Sequence, residues 1–181
     1  MVLAARADSG NRELDRSRDR TWVRAALARM HEEAAHRAET PMHVFPLPPE
    51  WQIRIYLKDE SQQPTGSLKH RLAWSLIVFG LCNGLIHEGT PLVEASSGST
   101  AVSEAAFARL LGLPFVAVLP ATTSAEKLDL IEREGGRCHL VDAVADVDPT
   151  ARRLAADLGG HYLEQFTYAE QATDWRGETS L

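Results

Sequence analysis

Several residue types are scarce in this sequence, and each scarcity excludes something. Cysteine occurs twice in 181 residues, as Cys82 and Cys138. Two thiols this far apart make no disulfide framework, and their apolar neighbours predict buried free thiols in a reducing, cytoplasmic setting. Lysine occurs only at Lys58, Lys69 and Lys127. Acidic residues outnumber basic ones by 25 to 19, a net charge of −6, so no basic excess exists to neutralise a nucleic-acid backbone. The longest apolar run, Leu72 to Ile86, is interrupted by Asn83 and Gly84 and is too short to span a bilayer. The opening MVLAARADSGNRELDRSRDR lacks the apolar core and small-residue site of a secretory signal. Seven histidines show no metal-ligand spacing, and His31 and His36 do not fit a zinc-protease helix.

What is present is a soluble-domain composition, 44% hydrophobic and 24% charged. Residues 1–19 are polar and alternate in sign, which predicts a flexible terminus. Residues 20–50 read as a helix from Thr21, with Trp22, Val23, Ala26, Leu27, Met30 and Ala34 on one face, followed by a proline-rich connector. Residues 51–165 then alternate between strand and helix. Ile53, Ile55 and Leu57 recur at period two. A helix over 67–82 follows, then a strand at Pro91–Ala95 and a helix from Ser99 that stops at Gly112. Phe115–Leu119 is an unbroken apolar run, as expected of a strand covered on both faces. Thr123 to Glu126 matches a capping box, and Asp148-Pro149 reads as a cap with proline at the first helical position. Strands are expected at Arg137–Val141 and His161–Leu163. The series predicts an α/β fold: a three-layer, open, mostly parallel sheet with helices on both faces, preceded by an N-terminal helix.

Two segments carry chemistry. In Pro64-Thr65-Gly66-Ser67-Leu68-Lys69, Lys69 stands just inside a helix start with Ser67 as the expected cap. The positive end of the helix dipole and burial in a cleft both favour a neutral amine, the form that makes Schiff bases. An ordinary surface lysine in a first turn would give the same segment. In Glu94-Ala95-Ser96-Ser97-Gly98-Ser99-Thr100, hydroxyls and free N–H groups at a helix start form an anion site at the carboxyl end of a parallel strand. The glycine spacing of a nucleotide loop is missing, which favours a carboxylate as the anion; a capped helix with nothing bound is the alternative.

Together with Thr40-Pro41-Met42, Leu57-Lys58-Asp59-Glu60, His70-Arg71 and Gln165-Phe166, these segments resemble the fold-type II pyridoxal-phosphate enzymes of the cysteine synthase and cystathionine β-synthase family. The nearest likeness is to a bacterial cysteine desulfhydrase-like branch. The resemblance implies pyridoxal 5′-phosphate as cofactor and Lys69 as the lysine that holds it and moves protons at the substrate α-carbon. It implies that Ser96, Ser97, Gly98, Ser99, Thr100 and Gln165 bind the carboxylate of a small amino acid. Ser99 also falls on the position that faces the cofactor ring; the synthases usually carry asparagine there, and aspartate where this chain has His70. Both departures suit elimination from cysteine over synthesis.

The resemblance further implies a homodimer, and the charge and the short apolar runs predict no nucleic-acid or membrane partner. Family members are longer, and the loop that cradles the cofactor phosphate belongs to the part not matched. Residues 51–165 therefore read as the lysine-bearing lobe, and residues 166–181 as the start of a truncated second domain. The expected activity is a lyase releasing sulfide, pyruvate and ammonia from cysteine. The alternatives are synthase-type β-replacement, a transferase reaction, and a non-catalytic relic or interaction module.

Overall fold

The structure is a computed structural model and describes residues 2–173, with side chains from residue 19 onward. The expected opening of a second domain therefore lies outside the described residues from residue 174 on. Helix α1 runs over Val2–His36, well before the predicted start at Thr21. Alanine, arginine and leucine are frequent in its first turns, and their helix propensity outweighs the polar, alternating pattern that predicted flexibility.

Strands β1 (Met42–Phe45) and β2 (Ile55–Lys58) pair antiparallel as a separate two-stranded ribbon. Every residue of both strands is exposed. This corrects two expectations. The proline-rich connector contains a strand, and the Ile53–Leu57 segment is no part of the parallel sheet. Its period-two pattern specified an apolar face, but nothing among the described residues covers that face.

Helix α2 (Lys69–Cys82) leads into the main sheet. Its strands are β3 (Leu92–Ala95), β4 (Phe115–Pro120), β5 (Arg137–Val141) and β6 (His161–Tyr162). The order is β5-β4-β3-β6 and every pair is parallel. Helices α3 (Ser99–Leu111), α4 (Ala125–Arg133) and α5 (Val147–Asp157) make the crossovers, and α6 (Gln165–Ala172) follows β6.

Alternate strand residues enter two cores. Leu92, Phe115, Ala117 and Leu119 join Met30, Ile77, Phe107 and Ile131 from the α1–α4 side. Val93 and Val118 join Ala151 and Ala155 of α5 on the other. Helices thus cover both faces, as the unbroken apolar strands required. Helix α6 folds back on α2, where the Phe79 and Tyr168 rings lie 5.9 Å apart.

Local chemistry departs from expectation at three places. Helix α4 is preceded by Ser124, not Thr123, and no side chain caps it; Thr123 N–H instead closes a turn on the Pro120 carbonyl. Helix α5 starts at Val147, which leaves Asp148 inside its first turn. The Asp148 carboxylate accepts from Tyr162 Oη (2.7 Å) and Arg152 Nε (3.0 Å), so tertiary partners take it from the cap role. Both cysteines are free, but Cys82, at the outward end of α2, is exposed and Cys138 half-buried. No helix of the described residues is long and apolar enough to cross a membrane.

Candidate functional site

The strand order reverses at β3. From β3 the chain steps to β4 and β5, then returns through α5 on the opposite face to place β6 beside β3. Such a switch leaves a crevice at the carboxyl ends of the two diverging strands, where open α/β sheets bind ligands. The loop after β3 is Ser96 to Gly98, and the residue opening the helix after β6 is Gln165. The fold therefore brings the serine segment and Gln165 together from 65 residues apart.

Their geometry is specific. Thr100 Oγ1 donates to Gln165 Oε1 at 2.8 Å, and Gln165 Nε2 donates to Glu94 Oε1 at 3.1 Å. Thr100, Gln165 and Glu94 are buried. Ser96, Ser97 and Gly98 are half-buried and Ser99 is exposed. A side chain at Gly98 would meet only Ser96 Oγ, at 3.9 Å, so the space above this backbone is open. The first N–H groups of α3 have no intrahelical partners. The rim thus presents hydroxyls and N–H groups to solvent, while its buried polar groups hold one another.

Lys69 is half-buried at the first position of α2, and its backbone N–H donates to Ser67 Oγ at 3.2 Å. The residue before the helix is Leu68 and no side chain caps it, so Ser67, the expected cap, only accepts this N–H from two residues back. The loop before it turns at Gly66, whose φ of +70° and N–H to the Gln63 carbonyl (2.7 Å) call for glycine. Glu60 ties the remaining motifs together. It accepts from Arg71 Nε (2.8 Å), Thr40 Oγ1 (2.6 Å) and Gln63 Nε2 (2.9 Å), and the Arg71 guanidinium holds its carboxyl down at about 2. Lys58 Nζ donates to the Thr40 carbonyl at 3.0 Å. These residues therefore hold the lysine loop in place.

Two groups escaped the sequence reading. His70, noted from the sequence as a departure from aspartate, is buried in a chain of polar contacts. Its Nε2 lies 2.8 Å from Glu33 Oε1, its Nδ1 lies 3.1 Å from Thr65 Oγ1, and Thr65 Oγ1 lies 2.8 Å from Ser103 Oγ. The second is Glu104, fully buried with neither carboxyl oxygen hydrogen-bonded. A signal for it existed: Glu104 interrupts the otherwise small and apolar stripe Ala101, Ala105, Ala108 of α3. Burial, the charge on Glu94 and the opposing charge on Lys69 act on this carboxyl, which lies well above the ordinary carboxylate range. Burial raises Glu94 itself to about 7. Among the described residues no cluster of histidine, cysteine and carboxylate side chains is placed to hold a metal ion.

Known proteins resemble this chain in sequence and fold. The chain is 55% identical over 170 residues to the L-cysteine desulfhydrase Cds1 of Mycobacterium tuberculosis (strain ATCC 25177 / H37Ra), a match covering 92% of this chain and 46% of that protein. It is 34% identical over 119 residues to a cysteine synthase of Aquifex aeolicus (strain VF5), covering 66% and 36%. The chain thus spans less than half the length of these relatives. A hydrogen sulfide-producing enzyme from Fusobacterium nucleatum superposes with a TM-score of 0.66 at 26% identity, covering 75% of this chain and 42% of that one. The family model described as pyridoxal-phosphate dependent enzyme matches residues 34–180, a span that takes in the lysine loop, the serine rim and the strand-order switch between them. The chain belongs to the pyridoxal-phosphate dependent enzyme family.

Proposed function

We propose that this chain supplies the lysine-bearing lobe of a lyase that eliminates sulfide from cysteine, leaving pyruvate and ammonia. The observation that carries the reading is the 55% identity to an L-cysteine desulfhydrase across nearly the whole chain. Two local features support it: Lys69 at a helix start, and a hydroxyl and N–H rim at the strand-order switch.

The residues present fit one side of a pyridoxal-phosphate site. Lys69 is half-buried at its helix start, and a Cβ at Gly98 would have no neighbour closer than Ser96 Oγ, which leaves the rim open at that point. When bound, this cofactor supplies an electron sink for the substrate α-carbon. The chain's own residues do the rest. Ser96, Ser97, Ser99 and the first N–H groups of α3 bind the substrate carboxylate. Gln165 fixes Thr100 and so the orientation of that rim. Lys69 holds the cofactor and moves the proton at the α-carbon.

The same reading makes the substrate a small amino acid, the assembly a homodimer and the location the cytoplasm, the last supported by two unpaired cysteines. Synthase-type replacement at the β-carbon is the second reading.

The test mixes the purified chain with pyridoxal phosphate and records its visible absorbance. Lysine-bound cofactor should give a band that Lys69→Ala abolishes. No band from the wild-type chain would overturn the proposal for this chain and favour a binding or interaction module. Sulfide release from cysteine alone then supports elimination, whereas cysteine formed from O-acetylserine and sulfide supports replacement.

A further inference from the structure

Strand β3 carries a glutamate where its neighbour on the same face is apolar. Alternation turns Glu94 to the side that Leu92 occupies, towards the core shared with Phe107 of α3. Glu94 is 1% exposed. Its Oε2 has no hydrogen-bond partner among the described residues, and its Oε1 accepts from Gln165 Nε2 at 3.1 Å. Gln165 Oε1 in turn accepts from the Thr100 hydroxyl at 2.8 Å. Glu94, Gln165 and Thr100 thus form one chain of hydrogen bonds from the sheet interior to the serine rim. The backbone holds that chain in place. Glu164, just before Gln165, has a φ of +47°, uncommon for a residue with a side chain. Its carboxylate is bound by Arg152 of α5 and by Thr167 of α6.

The polarity of the chain is set at its buried end. An ionised carboxylate can only accept, so Gln165 turns its NH2 towards Glu94 and its oxygen towards Thr100. Thr100 then directs its only hydroxyl hydrogen inward, and its oxygen offers nothing but lone pairs to whatever occupies the rim. A protonated carboxyl can donate, and every link then reverses.

We propose that Glu94 is a positioning residue for the substrate carboxylate: through Gln165 it decides whether the Thr100 hydroxyl donates into the protein or out to the rim. One solvent proton is exchanged. It binds Glu94 Oε1, which donates to Gln165 Oε1; the amide turns over, Gln165 Nε2 donates to Thr100 Oγ1, and the Thr100 hydrogen is released towards the ligand. A proton on Oε2 would instead leave a buried O–H without an acceptor, which is costlier than a carbonyl oxygen without a donor.

Burial raises Glu94 to about 7, so both states are populated near neutrality. The surrounding groups come from several elements. Glu104 of α3 and Tyr162 of β6 feel the Glu94 charge. On α5, Asp148 and Arg152 are engaged by Tyr162, Glu164 and each other, and Arg153 and Asp157 are exposed. Lys69 of α2 acts on Glu104, and β4 contributes no titratable side chain.

The inference rests on the reading of the serine rim as a carboxylate site, and acetate probes that rim in the full chain without cofactor. In the isotope-labelled chain, nuclear magnetic resonance should show the Gln165 side-chain amide titrating between pH 6 and pH 8.5. Its NH2 protons should lie against the Thr100 methyl at pH 6 and against the Glu94 side chain at pH 8.5. Acetate, followed at the Ser97, Ser99 and Thr100 amides, should bind about tenfold more tightly at pH 6 than at pH 8.5. Thr100→Val keeps the side-chain shape, removes the hydroxyl and should lose most of that difference. Glu94→Gln should abolish the amide titration and the difference together.

An unchanged Gln165 contact across the range overturns the proposal. So does a pH dependence that survives in Thr100→Val, which would be plain repulsion by the Glu94 charge, and so does an absence of acetate binding at both pH values. Wild type and Thr100→Val decide the matter even where Glu94→Gln does not fold. A chain that fails to capture pyridoxal phosphate would sink the proposed function and leave these readouts intact.

Discussion

Glu94 and Glu60 respond to pH with opposite signs, and each sign follows from the surroundings. Burial lifts Glu94 from its ordinary value of 4.5 to about 7. Between those values the folded chain holds a proton that the unfolded chain has released, so stability falls as pH rises through that window. Glu104 extends the fall to higher pH. The melting temperature should decline from pH 5 to pH 7.5, and Glu94→Gln should flatten the decline; scanning calorimetry at four pH values checks it, and an unchanged slope would count against a buried Glu94. Glu60 is the reverse. Arg71 depresses it to about 2, so its contribution is complete above 4.5 and is lost as pH falls towards 2. Because the pair is partly open to water, Glu60→Gln should cost about 1 kcal/mol at neutral pH and almost nothing near pH 2. Urea titrations at the two pH values would measure it.

At the scale of elements, the tightest joint lies between β6 and β3. A Cβ added at Gly160 would stand 2.3 Å from the Pro91 carbonyl oxygen, a backbone atom that also accepts from His161 N–H at 2.8 Å. Gly160→Ala must push the strands apart. It should lower stability by about 2 kcal/mol or more and loosen Gln165, five residues further on at the start of α6. Hydrogen exchange at Leu163 N–H, which donates to the Val93 carbonyl, reads the separation directly.

The ribbon gives the contrasting prediction. Leu92 is fully buried and Leu57 is half open to solvent, at 0% and 49% exposure. Leu92→Ala should cost about 2–5 kcal/mol and Leu57→Ala less than about 1; equal costs would mean that the ribbon is covered. This pair also marks what the sequence could convey. The β3–α3–β4 unit was legible because an unbroken apolar run and a glycine stop each have one physical reading. The alternation in Ile53–Leu57 specified an apolar face but could not say whether anything packs on it. Lys69 and the serine rim were legible as local patterns at helix starts. The Glu33–His70 contact was not, because it spans 37 residues and two elements.

For the molecule as a whole, the decisive contact is between α1 and the lobe that carries Lys69. The family match starts at residue 34, yet α1 reaches the core before that point. Ala26 and Met30 are buried, Trp74 Nε1 donates to the Met30 carbonyl at 2.8 Å, and Glu33 meets His70 at 2.8 Å. Those partners lie on α2, the helix that begins with Lys69. Met30 alone fills a site in the same core as Ile77 and Phe107, and Met30→Ala should cost about 2–5 kcal/mol. Glu33→Gln removes charge but keeps shape. It leaves the His70 ring hydrogen-bonded to a neutral amide, and its effect should vanish at low pH, where burial-opposed hydrogen bonds from His70 and Arg37 no longer hold Glu33 ionised. If α1 is an integral part of the lobe, Met30→Ala weakens α2 and α3 together, and amide exchange rises along both. If α1 merely lies on the surface, exchange rises in α1 alone, and the Lys69 end of α2 keeps its wild-type protection.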